Sequence, residues 1–204
     1  MADAGLSEAG LDPIGPGRLV LVVGPSGAGK DSVIGGVCAA LETGGTTDVI
    51  FPTRIVTRSA HAAEANASIS PEDFEIGRAR GAFALSWQAH GLGYAIPSEI
   101  DHDIRAGRMV VINTSRAVVA AARIRYRSVT VMLIDAPVAI RAERLAARGR
   151  EARADIEARL KPAVSSFGAG DADVVIENGG KLNDAVNAAV SALNAICGFR
   201  RPKR

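Results

Sequence analysis

Gly24-Pro25-Ser26-Gly27-Ala28-Gly29-Lys30-Asp31 is a phosphate-binding loop complete in every element but one. Gly24, Gly29 and Lys30 fit the pattern G-x-x-x-x-G-K-[ST], and Asp31 stands where the pattern asks for a hydroxyl. An apolar run, Leu19-Val20-Leu21-Val22-Val23, precedes the loop, and a helical pattern opens near Lys30. This is the setting the chemistry needs: a buried strand, a glycine turn, then a helix N-terminus aimed at an anion. Glycine permits left-handed backbone, so the amides from Ser26 to Lys30 converge on a phosphate that Lys30 can reach with its ammonium. The loop residues Gly24, Pro25, Ser26, Gly27, Ala28, Gly29 and Lys30, with Asp31 and Ser32 after them, thus read as a site for ATP or GTP.

The rest of the chain bounds that reading. At 204 residues, 48% apolar and 23% charged, it is long enough for one large core with a small subdomain. A net charge of +2 gives no argument for nucleic acid, and the basic tail at 199–204 reads as a solvated end. Cys38 and Cys197 lie far apart in sequence, as reduced, buried thiols do. No run is long enough to span a bilayer, and residues 1–17, acidic early and without a hydrophobic centre, read as a flexible leader. The expectation is a cytoplasmic protein. Its oligomeric state is left open, a homodimer included.

Strand and helix patterns alternate along most of the chain, which predicts an α/β, three-layer fold with a mainly parallel sheet. Strands are expected at 18–23, 49–57, 83–87, 108–112, 129–134 and 172–176. Helices are expected at 31–41, 71–81 (capped by Ser70), 97–106, 116–125, 137–148, 150–160 and 182–196. Residues 58–70 have loop composition.

Several motifs then appear in an order that resembles the guanylate-kinase family of P-loop kinases. They are Thr57-Arg58, His90-Gly91-Leu92-Gly93-Tyr94, Arg144-Leu145-Ala146-Ala147-Arg148-Gly149, Arg159-Leu160 and Val174-Val175-Ile176-Glu177-Asn178. The resemblance covers residues 18 to about 198 as a single kinase domain. It implies an acceptor-binding insert at about 54–100 and a helical lid at about 144–162. It makes Arg58 and Tyr94 ligands of the acceptor phosphate, Arg148 and Arg159 lid cations on the transferring group, and Asn178 a neighbour of the nucleotide base.

The departures from that family are informative. Its guanine is held by a glutamate before a tryptophan, a hydroxyl after the tyrosine and an aspartate ending the central strand; here those positions are Ser86, Ile96 and Asn113. Guanine donors left unpaired in a dry pocket cost about 1–3 kcal/mol each, so GMP is a poor acceptor. His61 stands where a second phosphate-gripping arginine is expected, and Arg54 is an unmatched cation on the strand of Arg58. Gly24 to Ser32, Ala84 to Leu92, Ile96 to Ile100 and Asn113 to Arg116 resemble a bacterial branch of the family that phosphorylates ribose 1,5-bisphosphate during phosphonate breakdown. That resemblance implies ATP as co-substrate, a phosphorylated sugar as substrate, and 5-phosphoribosyl 1-diphosphate as product. Members of the branch carry Arg-Tyr-Gly where this chain has Gly93-Tyr94-Ala95, which implies a weakened grip on one phosphate.

A phosphate-monoester nucleophile has a second pKa of about 6 and needs no general base. Catalysis would rest on Lys30, the loop amides and the lid arginines Arg148 and Arg159, with Arg54, His90, Arg116, Ser86 and Asn113 as further acceptor-site candidates. For Mg²⁺, the strand position that should carry an acid is Val111. Asp31 can supply the missing carboxylate, directly or through water, with Ser32 as alternative hydroxyl. Blander roles stand beside these: Asp31 as a helix-dipole partner, Arg148 and Arg159 as a solvated helix face, His90 as a loop histidine, Asn178 as a strand end and Trp87 as core. Two other functions fit the same motifs less fully, a nucleoside-monophosphate kinase with altered base preference and a guanylate-kinase-like binding module without catalysis.

Overall fold

A computed structural model describes residues 12–45, 48–57, 67–89, 91–147 and 169–197. The chain opens with β1 (Arg18–Val23), α1 (Lys30–Thr43), β2 (Val49–Ile50), β3 (Ile55–Val56) and β4 (Ala67–Ser68). Next come α2 (Pro71–Ala79), β5 (Phe83–Ala89), β6 (Leu92–Pro97), α3 (Ile100–Arg105) and β7 (Met109–Asn113). It continues through α4 (Val119–Arg125), β8 (Val129–Asp135), α5 (Val138–Ala147), β9 (Val174–Glu177) and α6 (Leu182–Cys197).

Five strands form a wholly parallel sheet in the order β2-β7-β1-β8-β9. β1 lies at its centre with Leu19 to Val23 buried on both faces, which is why its sequence is unbroken apolar rather than alternating. Leu19, Leu21 and Val23 join Val110, Ile112, Val131 and Leu133 beneath Ile100, Ile104 and Ala122 of α3 and α4. On the other face, Val20, Val22, Val111 and Ile134 meet Val33 and Val37 of α1 and Val186, Ala189 and Leu193 of α6. Each buried aliphatic side chain contributes about 1.5–3 kcal/mol, so these two layers fix the sheet. Crossovers of this kind leave the C-terminal strand ends open between the helices, and the glycine loop leaves β1 at that edge.

A second sheet has the order β4-β3-β6-β5, with β6 antiparallel to both β3 and β5. α2 packs on one face, the Phe74 ring 5.5 Å from that of Phe83, while Trp87, Tyr94 and Ile96 extend the main core on the other. Ser70 caps α2 as expected, its hydroxyl accepting from the Asp73 amide at 3.0 Å, with Pro71 in the first turn.

Several expected boundaries move. The strand expected at 49–57 is two short strands in different sheets, with 51–54 crossing between them. β6 falls where only a motif was read, and takes Pro97 out of the expected helix, which starts at Ile100. The helix expected at 116–125 opens as a 3-10 turn at Arg116–Val118, and β4 occupies part of the expected loop. Part of the stretch read as a flexible leader is instead held to the domain: Ile14 pairs with Tyr126, and the Gly17 amide donates to the Ile104 carbonyl at 2.8 Å. Residues 1–11, the helix expected at 150–160, the lid beyond residue 147 and the basic tail lie outside the described residues.

A buried polar cluster ties α3 to the end of α4. The Tyr126 hydroxyl donates to Asp101 Oδ1 at 2.6 Å, and the Arg125 guanidinium binds both Asp101 oxygens. Burial, reinforced by the Asp101 carboxylate, raises the Tyr126 phenol well above its ordinary value of 10.0. Among the described residues no helix is long and apolar enough to cross a membrane.

Candidate active site

The loop is held from below by the strands it connects. Gly24 leaves β1 with φ 150°, where a Cβ would lie 2.0 Å from the Ile134 carbonyl oxygen. Gly29 caps α1 in the left-handed region at φ 86°, where a Cβ would lie 2.5 Å from Asn178 Nδ2. Only glycine fits either position. Asn178, just past β9, is buried, and its Nδ2 donates to the Ala28 carbonyl at 2.8 Å. Its Oδ1 is buried without a hydrogen-bond partner. Lys30 Nζ donates to the Gly24 and Pro25 carbonyls at 2.8 and 3.0 Å, so the ammonium sits over the loop where a phosphate would meet it.

Asp31, on the first turn of α1, is where the two sheets communicate. Its Oδ1 accepts from Asn113 Nδ2, at the end of β7, at 2.6 Å and lies 3.5 Å from the Arg54 guanidinium. Arg54 belongs to the segment that passes from the parallel sheet to the second one, and its side chain is 18% exposed against 66% for Asp31. One carboxylate thus joins the donor loop, the central strand edge and the entry to the second sheet. Asp31 Oδ2 receives no hydrogen bond from the described residues, and Ser32, next along α1, is exposed. An exposed carboxylate and a hydroxyl beside a phosphate loop are hard oxygen donors of the kind Mg²⁺ takes alongside substrate phosphates. Val111 is buried against α1 and offers no ligand atom.

The acceptor-side candidates divide by face. Tyr94, on β6, stacks nearly parallel on Trp87 with centroids 5.4 Å apart, and Ile96 follows it on the same face, fully buried. Thr57 is locked to Gly93 by two hydrogen bonds, its amide donating to the Gly93 carbonyl at 2.9 Å and its hydroxyl accepting from the Gly93 amide at 2.8 Å. This places the end of β3, which leads to Arg58, beside Tyr94. Ser86 pairs with Ala95 on the opposite, α2-facing side, so the structure does not bring it to Tyr94. Gly93 also faces α2: a Cβ there would lie 2.9 Å from the Phe74 ring, so an arginine at 93 would begin on the side away from Tyr94. Arg116 is half-buried in the 3-10 turn just beyond β7. Arg58, His61, His90, Arg148 and Arg159 lie outside the described residues.

α5 adds residues that motif reading left unassigned. Arg144 Nη1 lies 3.5 Å from the Ala28 carbonyl, and the Arg141 backbone packs against Gly27 while its Nε donates to the Ala136 carbonyl at 3.1 Å. The signal was available in the spacing, since 141, 144 and 148 fall on one helical face.

No family model matches the chain. Among curated proteins, it is 51% identical over 176 residues to ribose 1,5-bisphosphate phosphokinase PhnN of Bradyrhizobium diazoefficiens, covering 86% of each chain. The chain belongs to this phosphokinase family. The enzyme of that name from Rhodopseudomonas palustris is 47% identical over 180 residues, covering 88% of this chain and 90% of its own. A guanylate kinase from Anaplasma phagocytophilum superposes with a TM-score of 0.64 at 17% identity, over 88% of this chain and 86% of that one. The chain thus carries a guanylate-kinase-like fold, with the aspartate in place of the phosphate loop's terminal hydroxyl. The chain is a kinase.

Proposed function

We propose that this chain transfers the γ-phosphoryl group of ATP to the 1-phosphate of ribose 1,5-bisphosphate, giving ADP and 5-phosphoribosyl 1-diphosphate, in phosphonate breakdown in the cytoplasm. Kinship with the phosphokinases supports the reaction class, and the observation that carries the acceptor choice is the contact of Asn113 with Asp31. The strand end that would meet a purine edge is an amide whose nitrogen is engaged by Asp31 and whose oxygen is shut in the interior, out of reach of a base, and Ile96 beyond Tyr94 is buried and apolar. A guanine there would leave its N1–H and amino donors unpaired, at about 1–3 kcal/mol each. A sugar with two anionic ends asks only for cations and hydroxyl partners.

An oxygen of the 1-phosphate attacks the γ-phosphorus, the bond from that phosphorus to the β-phosphate oxygen breaks, and ADP leaves with the electron pair. The nucleophile is already ionised, so no base is required. The loop amides and Lys30 hold the donor phosphates, and Arg144 adds positive charge beside the loop. Arg58, Tyr94 and Arg54, with His90 and Arg116, orient the acceptor, and Arg148 and Arg159 neutralise charge on the transferring group. Asp31 with Ser32 would hold Mg²⁺, which would supply positive charge beside the donor phosphates. Asn178, which supports the loop through the Ala28 carbonyl, would stand beside the nucleotide base.

Phosphorus NMR of purified protein with ATP, Mg²⁺ and ribose 1,5-bisphosphate tests the reading. The expected spectrum shows a new pair of coupled diphosphate signals from the sugar and an unaltered 5-phosphate. An unreacted sugar, or modification at the 5-phosphate, would refute it.

A further inference from the structure

We infer that Asn113 is the positioning residue for the Asp31 carboxylate, holding it where the cation of the nucleotide phosphates is taken up; this rests on the role of Asp31 given above. The contact has one chemical sense. A carboxylate at neutral pH has no hydrogen to donate, so the Asn113 group 2.6 Å from Asp31 Oδ1 is the amide nitrogen. The carbonyl oxygen is thereby turned elsewhere, and it is buried without a partner. A buried asparagine holding that orientation, with one acceptor unpaired, serves the carboxylate at its own cost.

Both partners stand on rigid elements. Asn113 is paired with Val22 of β1 in the centre of the sheet, and Asp31 is in the first turn of α1, whose buried face is packed on that sheet. The amide occupies Oδ1 and leaves Oδ2 without a hydrogen bond from the described residues, so one oxygen is anchored and one is offered. Arg54 competes for the same Oδ1 at 3.5 Å. Without the amide, a carboxylate as exposed as Asp31 would follow Arg54 toward the acceptor side or rotate into solvent. Val111, one residue pair earlier on the same face, is enclosed in the core and cannot substitute.

The test is the affinity for Mn²⁺, as a spectroscopic stand-in for Mg²⁺, of protein saturated with a non-hydrolysable ATP analogue. It is read from the loss of the free-ion electron paramagnetic resonance signal. Affinity for the same analogue without metal, in chelator, is measured by calorimetry. Asp31→Asn and Asn113→Ala are each expected to weaken Mn²⁺ binding by about tenfold or more, as loss of an outer partner of a ligand does. Metal-free analogue binding is expected to stay within about twofold, and the double variant to be no weaker than Asp31→Asn alone. Asn113→Leu, similar in volume and without the orphaned oxygen, is expected to behave as Asn113→Ala and covers the case in which the alanine variant does not fold. Unchanged Mn²⁺ affinity in both Asn113 variants, with Asp31→Asn weakened, would overturn the placement by Asn113 and leave the role of Asp31 standing. Unchanged affinity in Asp31→Asn as well would overturn both. A parallel loss of metal-free binding in the Asn113 variants would mark the residue as a brace of the loop and overturn the inference.

Discussion

At Gly29 the loop passes so close to Asn178 that no other residue can stand there. The position combines left-handed backbone with a Cβ site 2.5 Å from the Asn178 amide, which itself supports the Ala28 carbonyl at 2.8 Å. Gly29→Ala should therefore strain the backbone and displace the support together. The expected loss is about 1–3 kcal/mol of stability, seen as a lower urea midpoint, with nucleotide affinity falling in the same variant. The glycine pattern itself was readable from sequence because its spacing is dictated by phosphate geometry. Asn178 was readable only as a strand end with a family role, since its contact with Ala28 joins residues 150 positions apart. Asp31 lay between: its oddity was plain, but the amide and guanidinium that meet it come from β7 and the β2–β3 crossing.

The elements of the second sheet were the least legible. β3 and β4, like β2 at the edge of the parallel sheet, are two residues long, too short to show any period, and pairing rather than pattern makes them strands. β6 did carry alternation in Leu92, Tyr94 and Ile96, but Gly93 between them reads as a loop residue until the Phe74 ring is seen packed against it. That contact changes the meaning of the missing arginine. Gly93→Arg should not strengthen substrate binding; overpacking against Phe74 should instead cost about 1–3 kcal/mol, measured by thermal unfolding alongside a calorimetric substrate titration. The α3–α4 junction gives a pH prediction. Burial and Asp101 raise the Tyr126 phenol above 10.0, so the fold favours the neutral hydroxyl. Its contribution is complete below the unfolded value and is lost as pH rises through the higher folded one. Tyr126→Phe should cost about 1 kcal/mol near neutral pH for the lost hydrogen bond. Urea unfolding at about pH 8 and about pH 11 should show a shallower alkaline decline in the variant than in the parent protein.

Across the whole molecule, the phosphate loop and the Tyr94 face stand on two sheets that share one core. The parallel sheet was legible because its central strand is an uninterrupted apolar run followed by a loop of fixed grammar. The mixed sheet was read only as an acceptor-binding insert that the resemblance implies, because two of its four strands are two residues long. Residues 51–57 carry the chain from one sheet to the other and bring Arg54 to Asp31 and Thr57 to Gly93, so the acceptor side is tied to the donor loop by covalent path and by charge. On the proposed reading, the buried Ile96 and Asn113, whose nitrogen is engaged and whose oxygen is shut in the interior, offer a purine edge no acceptor. The most direct measurement is therefore kcat/KM for ADP formation with ribose 1,5-bisphosphate, GMP and AMP offered separately to the same preparation with ATP and Mg²⁺. A preference for the sugar bisphosphate of more than about 100-fold over either nucleotide is expected, since each unpaired base donor counts against the nucleotide. Turnover of GMP or AMP at a rate comparable to that of the sugar would contradict it.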